Sequence, residues 1–254
     1  MFTTCPNFRD VGGKTAEDGR TFGTGQVYRS GTLTHLVDAD HDIIDTLKIR
    51  TICDLRQQRE RDHEPTRWRD ENVTMLNWDY KSLTQQLLQD LGGPDATPET
   101  AREGMEKFYR RLPYALSMAI RDIFKTLAEG GTPLLFHCAA GKDRTGVVAG
   151  LLLEVLGIPR EVNLADYART AELIDYEAVL RSDPSAHLGL GDDGFSVRML
   201  KKEVRMVLLS SDPRFLSATF DHIASEADSV EEFLAYHIGV DRAYFPAVRE
   251  RLLR

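Results

Sequence analysis

The sequence predicts an α/β fold in which helices flank a central sheet, and three observations carry that prediction. Short β-like runs alternate with amphipathic helical segments along the first 140 or so residues. A pair of glycines ends the helical pattern shortly before the fourth run. The segment after that run is apolar on every side, which is typical of a buried helix. The 254 residues are expected to form one domain, residues 1–254, with additional helical insertions.

Four short apolar runs are the candidate strands. They are GQVYRS (25–30), IRTICDL (49–55), VTMLNW (73–78) and PLLFH (133–137). Apolar stripes at helical spacing precede the second and the fourth run, at Ile43, Ile44 and Leu47 and at Leu116, Ile120, Phe124 and Leu127. Alternation of this kind favours a layered structure with helices packed on a sheet.

The last 95 or so residues are expected to be helical. Ser229 and Glu232 form a capping-box pattern before an apolar group. A second apolar face comprises Met199, Leu200, Val204, Val207 and Leu208. The polar stretches 90–100 and 181–194 interrupt this order, but neither is long enough to be a domain linker.

Composition narrows the functional classes. The formal net charge of −8 argues against a protein that coats nucleic acid. No apolar run approaches the roughly 18 residues that span a bilayer, and the N-terminal residues lack a secretory pattern. Three widely spaced cysteines make a disulfide framework unlikely and suit a reducing compartment. The cytoplasm is therefore the expected location, although this pattern leaves signal-independent secretion open.

The stretch FHCAAGKDRTG (136–146) contains the strongest candidates for catalytic and phosphate-binding residues. A predicted strand delivers Cys138 to the edge of the sheet, and an apolar helix begins at about Thr145. The residues from Ala139 to Arg144 then surround a helix N-terminus, where backbone N–H groups and a partial positive charge attract a phosphate. The same field favours the thiolate form of a cysteine. The planar fork of Arg144 can bind two phosphate oxygens.

A tight turn before a core helix, with an inert cysteine, is the structural alternative. That alternative gives no reason for His137, Lys142, Asp143 and Arg144 to stand between a strand and a buried helix. An ATP-binding loop is also disfavoured, because an aspartate rather than serine or threonine follows Lys142.

His-Cys-x5-Arg followed by Thr-Gly resembles the signature loop of the cysteine-dependent protein tyrosine and dual-specificity phosphatases. The longer form, with its Gly-Lys-Asp-Arg, is similar to the bacterial tyrosine phosphatase-like family, which acts on phosphoproteins and in several cases on phosphoinositides. Further stretches that resemble this family are NFRDVGG (7–13), YRSGTL (28–33), CDLRQQRE (53–60), DYARTAEL (166–173) and the closing SVEEFLAYHIGVDRAYFPAVRERLL. DYARTA departs from the family pattern, in which a bulkier apolar residue and an asparagine are more common.

The resemblance implies the phosphatase fold, hydrolysis without metal or cofactor, and a phosphorylated protein or phosphoinositide as substrate. Cys138 would attack phosphorus, and the amides and side chains of the loop would bind the phosphate: Ala139, Ala140, Gly141, Lys142, Asp143 and Arg144. Thr145 would donate a hydrogen bond to the departing thiolate, or serve only as a first-turn hydroxyl. His137 is expected to orient the loop.

Two aspartates are candidates for acid–base chemistry. Asp143 lies inside the loop, between two cations that favour its carboxylate form and hence a role as base or water-positioning group. Asp79 follows the third predicted strand, where related phosphatases carry an acid loop, and is the more natural general acid. A loop or cap role explains Asp79 about as well.

Other residues have two interpretations each. Lys142 is expected at the loop mouth, as a second cation for substrates with several phosphates or as a solvated lysine. Cys53 is a candidate redox partner of Cys138, or a small buried hydrophobe. Arg9 with Asp10, and Asp54 with Arg56, are interpreted chiefly as buried ion pairs, with contact to the substrate as the alternative.

The segment 80–112 carries an apolar stripe that would pack as a lid or in the core. Two rival functions also remain. A rhodanese-type sulfurtransferase likewise places a cysteine loop at a helix N-terminus, and a non-catalytic module would only bind phosphate.

Overall fold

The computed structural model describes residues 4–174 and 200–254, and within them five strands form one sheet. The strands are β1 (Arg9–Asp10), β2 (Val27–Ser30), β3 (Thr51–Asp54), β4 (Thr74–Asn77) and β5 (Leu134–His137). Their order across the sheet is β1-β2-β5-β3-β4. β1 pairs antiparallel with β2, and the other three pairings are parallel.

The inner strands are buried on both faces because helices cover both sides of the sheet. Every residue of β2, β3 and β5 is buried. In the register of the sheet, His137 at the end of β5 lies beside Ser30 of β2 and Asp54 of β3. The carboxyl ends of three parallel strands therefore meet where the next residue is Cys138.

The described helices before β5 are α1 (Asp38–Leu47), α2 (Gln58–His63), α3 (Thr84–Asp90), α4 (Pro98–Ala115) and α5 (Ser117–Ala128), with a 3-10 helix at Gly93–Asp95. The described helices after β5 are α6 (Asp143–Val155), α7 (Arg160–Ala168), α8 (Thr170–Leu173), α9 (Lys202–Leu209), α10 (Pro213–Glu226), α11 (Val230–Phe233) and α12 (Tyr244–Leu252), with a π-helix at Leu234–Ile238.

The predicted fold class is confirmed, and all four predicted strands are present with slightly narrower bounds. β1 was missed, because its two residues are too short for a periodic pattern. Ser229 caps α11 by accepting a hydrogen bond from the Glu232 amide at 3.1 Å, as the capping box predicts. Met199 and the stretch 181–194 lie outside the described residues.

The apolar stripe of segment 80–112 packs in the core. Leu87 and Leu91 are almost fully buried, and Leu83 and Leu88 pack against the same cluster. α3 lies on α4, where a Cβ at Gly104 would come within 3.2 Å of the Leu91 side chain. Core packing thus accounts for the stripe.

Among the described residues, no helix combines the length and the apolar character needed to cross a membrane.

Candidate active site

The loop between β5 and α6 is shaped by its contact with β2. Gly141 has a φ of +69°, and a Cβ there would lie 2.4 Å from the carbonyl oxygen of Ser30. Any other residue would be strained and would collide with backbone. Gly141 therefore lets the loop turn tightly against the end of β2.

The carbonyl oxygens of the loop are bound from outside. The Thr32 amide donates to Ala139 O at 2.8 Å. Asn7 Nδ2 and Arg29 Nη2 donate to Gly141 O at 2.7 and 2.9 Å. A trans peptide places N–H opposite C=O, so the amides that follow these carbonyls point away from the partners. The loop thereby forms an amide-lined cradle of the kind that binds an anion.

A buried carboxylate fixes the arginine that holds the loop. Asp166 on α7 lies 3.0 Å from Arg29, 3.4 Å from Arg9 and 3.1 Å from Lys14. Burial alone would raise the pKa of Asp166, but these cations lower it to about 2. The predicted pairing of Arg9 with Asp10 is wrong. Asp10 instead accepts the amide hydrogen bonds of two glycines, while Arg9 reaches across to α7, a partner too distant in sequence to infer.

Cys138 is 2% exposed, at the bottom of the cradle, and accepts a hydrogen bond from Thr145 Oγ1 at 3.1 Å. His137 is fully buried, with Nε2 3.5 Å from an Asp54 oxygen. Burial lowers the pKa of His137, which favours a neutral imidazole at neutral pH. Asp54 is also bound by Arg56 at 2.7 Å, so the predicted buried ion pair is present. His137 is thus a structural residue that supports the loop.

Arg144 is held by two residues that sequence reasoning missed. Glu60 on α2 accepts a bidentate pair from Nη1 and Nη2 of Arg144, at 2.6 and 2.8 Å. Tyr80 accepts from Nη1 at 3.0 Å and donates to Leu55 O at 2.6 Å. Glu60 also caps α2 through the Gln57 amide, and its position three residues after Gln57, at the end of CDLRQQRE, was the available signal.

The pairing with Glu60 leaves one edge of the guanidinium open. Glu60 binds the end of the fork, Nη1 and Nη2, and no described residue accepts from Nε. The side-on edge formed by Nε and the second Nη2 hydrogen can bind two oxygens of one phosphate. Glu60 therefore orients the arginine without occupying that edge.

Lys142 does not lie at the loop mouth as expected. Its side chain is 4% exposed and donates to the carbonyls of Leu208 and Ser210, at the C-terminal end of α9. Carbonyl groups at a helix end attract a cation, and this partner lies 66 residues away in sequence. The backbone amide of Lys142 still belongs to the cradle, but its ammonium faces the interior.

The two candidate aspartates differ in environment. Asp143 begins α6, with 25% of its side chain exposed, and accepts a hydrogen bond from Tyr109 at 2.7 Å. Asp79 is 72% exposed and pairs with Arg61 of α2 at 3.0 Å. Asp79 is adjacent in sequence to Tyr80, which contacts Arg144. Its own carboxylate, however, is paired with Arg61. Its role as the acid stays a prediction.

Cys53 lies opposite Phe136 in the register of β3 and β5, in the same buried cluster as Cys138. Strand spacing and rise per residue put the Cα atoms of Cys53 and Cys138 ~8 Å apart. A disulfide tolerates about 7 Å, so bridging needs a backbone shift. Burial raises the pKa of the Cys53 thiol. A redox role for Cys53 stays a prediction.

In the described part of the chain, no cluster of three or more His, Cys, Asp or Glu side chains is arranged to hold a metal ion.

The chain is similar in sequence to known phosphatases. A model of the tyrosine phosphatase family matches residues 1–254. A Cupriavidus necator protein, whose name places it among the tyrosine-protein phosphatases, is 33% identical over 170 residues, 65% of this chain and 60% of that protein. The triple specificity protein phosphatase PtpB of Mycobacterium tuberculosis is 32% identical over 191 residues, 66% of this chain and 67% of its own.

A solved structure, the core catalytic domain of the PP-IP phosphatase SIW14 from S. cerevisiae, covers 89% of this chain and 95% of its own. It is 14% identical, with a TM-score of 0.34.

Proposed function

Because the chain belongs to the tyrosine phosphatase family, we propose that it hydrolyses phosphomonoesters through a cysteinyl-phosphate intermediate, without a metal ion. The observation that supports this most is the placement of Cys138 and Arg144 at one amide-lined loop, with Thr145 donating to the sulfur. A loop that only bound phosphate would not need a nucleophile at its centre.

In the first step, the amides of residues 139–144 and the open edge of Arg144 bind the phosphate. The Cys138 thiolate attacks phosphorus in line, the sulfur–phosphorus bond forms, and the bond to the leaving oxygen breaks. A proton must reach that oxygen when it leaves as an alkoxide, and Asp79 is the proposed donor. The cradle stabilises the charge that spreads over the equatorial oxygens.

In the second step, water attacks phosphorus and the sulfur leaves as a thiolate. Thr145 stabilises that thiolate through its hydrogen bond, and Asp143 is the proposed group that orients the water and accepts its proton. Phosphate is then released from the same cradle.

Phosphorylated proteins are the proposed substrates, with phosphotyrosine first and phosphoserine or phosphothreonine next. Lys142 was expected to favour substrates with a second phosphate group. Its side chain instead lies in the interior, where it does not support that preference. Phosphoinositides are the second proposed class, and the protein is proposed to work in the cytoplasm, on substrates other than nucleic acid.

A substrate panel tests this function. Phosphate release is measured with EDTA present, on p-nitrophenyl phosphate, on phosphotyrosine and phosphoserine peptides, and on a set of phosphoinositides. Release from the aryl ester and the phosphotyrosine peptide is expected. Binding of phosphate without release would indicate the non-catalytic module, and transfer of sulfur from thiosulfate to cyanide would indicate the rhodanese-type alternative.

Asp79→Asn is expected to slow phosphoserine hydrolysis roughly 100-fold but p-nitrophenyl phosphate hydrolysis less than about 3-fold. The amide cannot donate a proton to an alkoxide, whereas p-nitrophenolate leaves without one. The measurement is kcat/KM on both substrates. Asp38→Asn is the control, since Asp38 is also exposed and paired with an arginine, but at the start of α1. Equal losses on the two substrates would instead assign Asp79 a structural role.

A further inference from the structure

Asp143 is bound by a chain of two buried tyrosine hydroxyls. Tyr109 of α4 donates to Asp143 Oδ1 at 2.7 Å, and the hydroxyls of Tyr109 and Tyr167 are 2.6 Å apart. Tyr109 is 0% and Tyr167 1% exposed. Tyr109 lies 34 positions before Asp143 and Tyr167 lies 24 positions after it, so neither contact follows from local structure.

The direction of the chain follows from proton counting. A phenol has one O–H group, and Tyr109 uses its own on the carboxylate. The short contact to Tyr167 then requires Tyr167 to donate and Tyr109 to accept. Burial, with Asp143 nearby, raises the pKa of both tyrosines well above the ordinary value, so both stay neutral donors. The order is Tyr167 to Tyr109 to Asp143.

Both tyrosines are fixed by packing. A Cβ at Gly146 would lie 2.9 Å from the Tyr167 ring, so only a glycine in the first turn of α6 leaves room for that ring. Tyr167 follows Asp166, the carboxylate held by Arg29. Thr219 of α10 donates to the backbone oxygen of Tyr109 at 3.0 Å. Packing therefore holds both tyrosines in place, Tyr109 on α4 and Tyr167 on α7.

The contacts fall on one carboxylate oxygen. Tyr109 donates to Oδ1 of Asp143, and Lys142 Nζ lies 3.4 Å from the same atom. A carboxylate that is held at one oxygen cannot rotate freely. The contacts to Oδ1 of Asp143 therefore also fix the direction in which Oδ2 points. A quarter of the side chain is exposed, so water reaches it.

We propose that Tyr109 and Tyr167 are positioning residues, which hold Asp143 so that it orients the water that hydrolyses the cysteinyl-phosphate. The inference rests on the proposed function. As the water oxygen bonds to phosphorus, one water proton passes to Asp143. The sulfur–phosphorus bond breaks, and its electron pair stays on Cys138. The tyrosines touch neither substrate nor phosphorus and act through Asp143 alone.

Tyr109→Phe tests this, because it keeps the ring and removes only the hydroxyl. The p-nitrophenolate leaving group departs easily, so we expect the second step to limit kcat with p-nitrophenyl phosphate. We expect kcat to fall about 10-fold while kcat/KM stays within about twofold, because kcat/KM reports only the first step. KM should fall in the same proportion, and phosphorylated Cys138, measured by acid quench and mass spectrometry once the substrate is exhausted, should persist about 10-fold longer than in the wild type.

Three further variants separate positioning from structure. Asp143→Asn should slow the same step, and adding Tyr109→Phe to it should cost nothing more, because the two act as one unit. Tyr167→Phe should have a smaller effect, since Tyr109 keeps its proton for Asp143. Tyr114→Phe is the matched control: it lies on the same helix, its hydroxyl pairs with His222 at the surface, and it should behave as wild type.

The outcomes are distinguishable. A wild-type protein that releases no phosphate would end the proposed function itself. An active wild type, with Tyr109→Phe showing unchanged kcat and an intermediate that decays as fast as in the wild type, would overturn only the positioning role. A further 10-fold loss in the double variant would also overturn it, because the tyrosine would then act independently of Asp143.

Discussion

Cys138→Ser is expected to abolish phosphate release, with turnover falling by at least about 10⁴-fold. The hydroxyl of serine is a far weaker nucleophile than a thiolate. Among the described residues, the hydrogen-bond partner of the sulfur is Thr145, which donates and is not placed to accept the serine proton. The cradle and Arg144 do not depend on the thiol, so inorganic phosphate should bind within about threefold of its wild-type affinity. Steady-state kinetics and calorimetric phosphate titration measure the two quantities.

Cys5→Ser is the control for this variant. Cys5 is also a buried free cysteine but lies outside the loop, and its replacement should leave most of the activity. Substantial metal-free hydrolysis by Cys138→Ser would show that the nucleophile lies elsewhere.

Arg144→Lys is expected to lower kcat/KM by about 10³-fold or more, and to weaken phosphate binding as well. An ammonium cannot form the side-on pair to two phosphate oxygens. It also cannot reproduce the bidentate contact with Glu60, so that carboxylate would be left half-buried with one donor fewer. Kinetics on p-nitrophenyl phosphate and phosphate titration report both losses.

Arg160→Lys provides the comparison, because Arg160 also forms a bidentate pair, with Glu154, but on the surface away from the loop. It should leave kcat/KM within about twofold. If Arg144→Lys kept activity within about tenfold of wild type, the planar fork would not be what stabilises the transition state.

The sequence was informative wherever function depends on residues that are neighbours in the chain. The strand before Cys138, the helix after it and the small residues between them are contiguous, so their arrangement follows from local pattern alone. The same holds for Asp54 with Arg56, which are two positions apart and pair at the end of one strand.

The supporting contacts of the site could not be predicted, because they join distant segments. Glu60 lies 84 positions before Arg144, and Lys142 reaches a helix end 66 positions away. The error about Lys142 has this cause: a lysine in a loop is usually solvated, unless some other part of the chain supplies carbonyl oxygens for it. Tyr109 lies 34 positions before Asp143, so no sequence motif could reveal the contact of its hydroxyl.

Trapping the intermediate tests the central claim most directly. The wild-type protein is mixed with p-nitrophenyl phosphate and EDTA, quenched in acid within milliseconds to seconds, digested and examined by mass spectrometry. We expect one added phosphoryl group on the peptide that contains Cys138, and none on that peptide in Cys138→Ser. Phosphate release with no phosphorylated Cys138 at any quench time, or with the phosphoryl group on another residue, would contradict it.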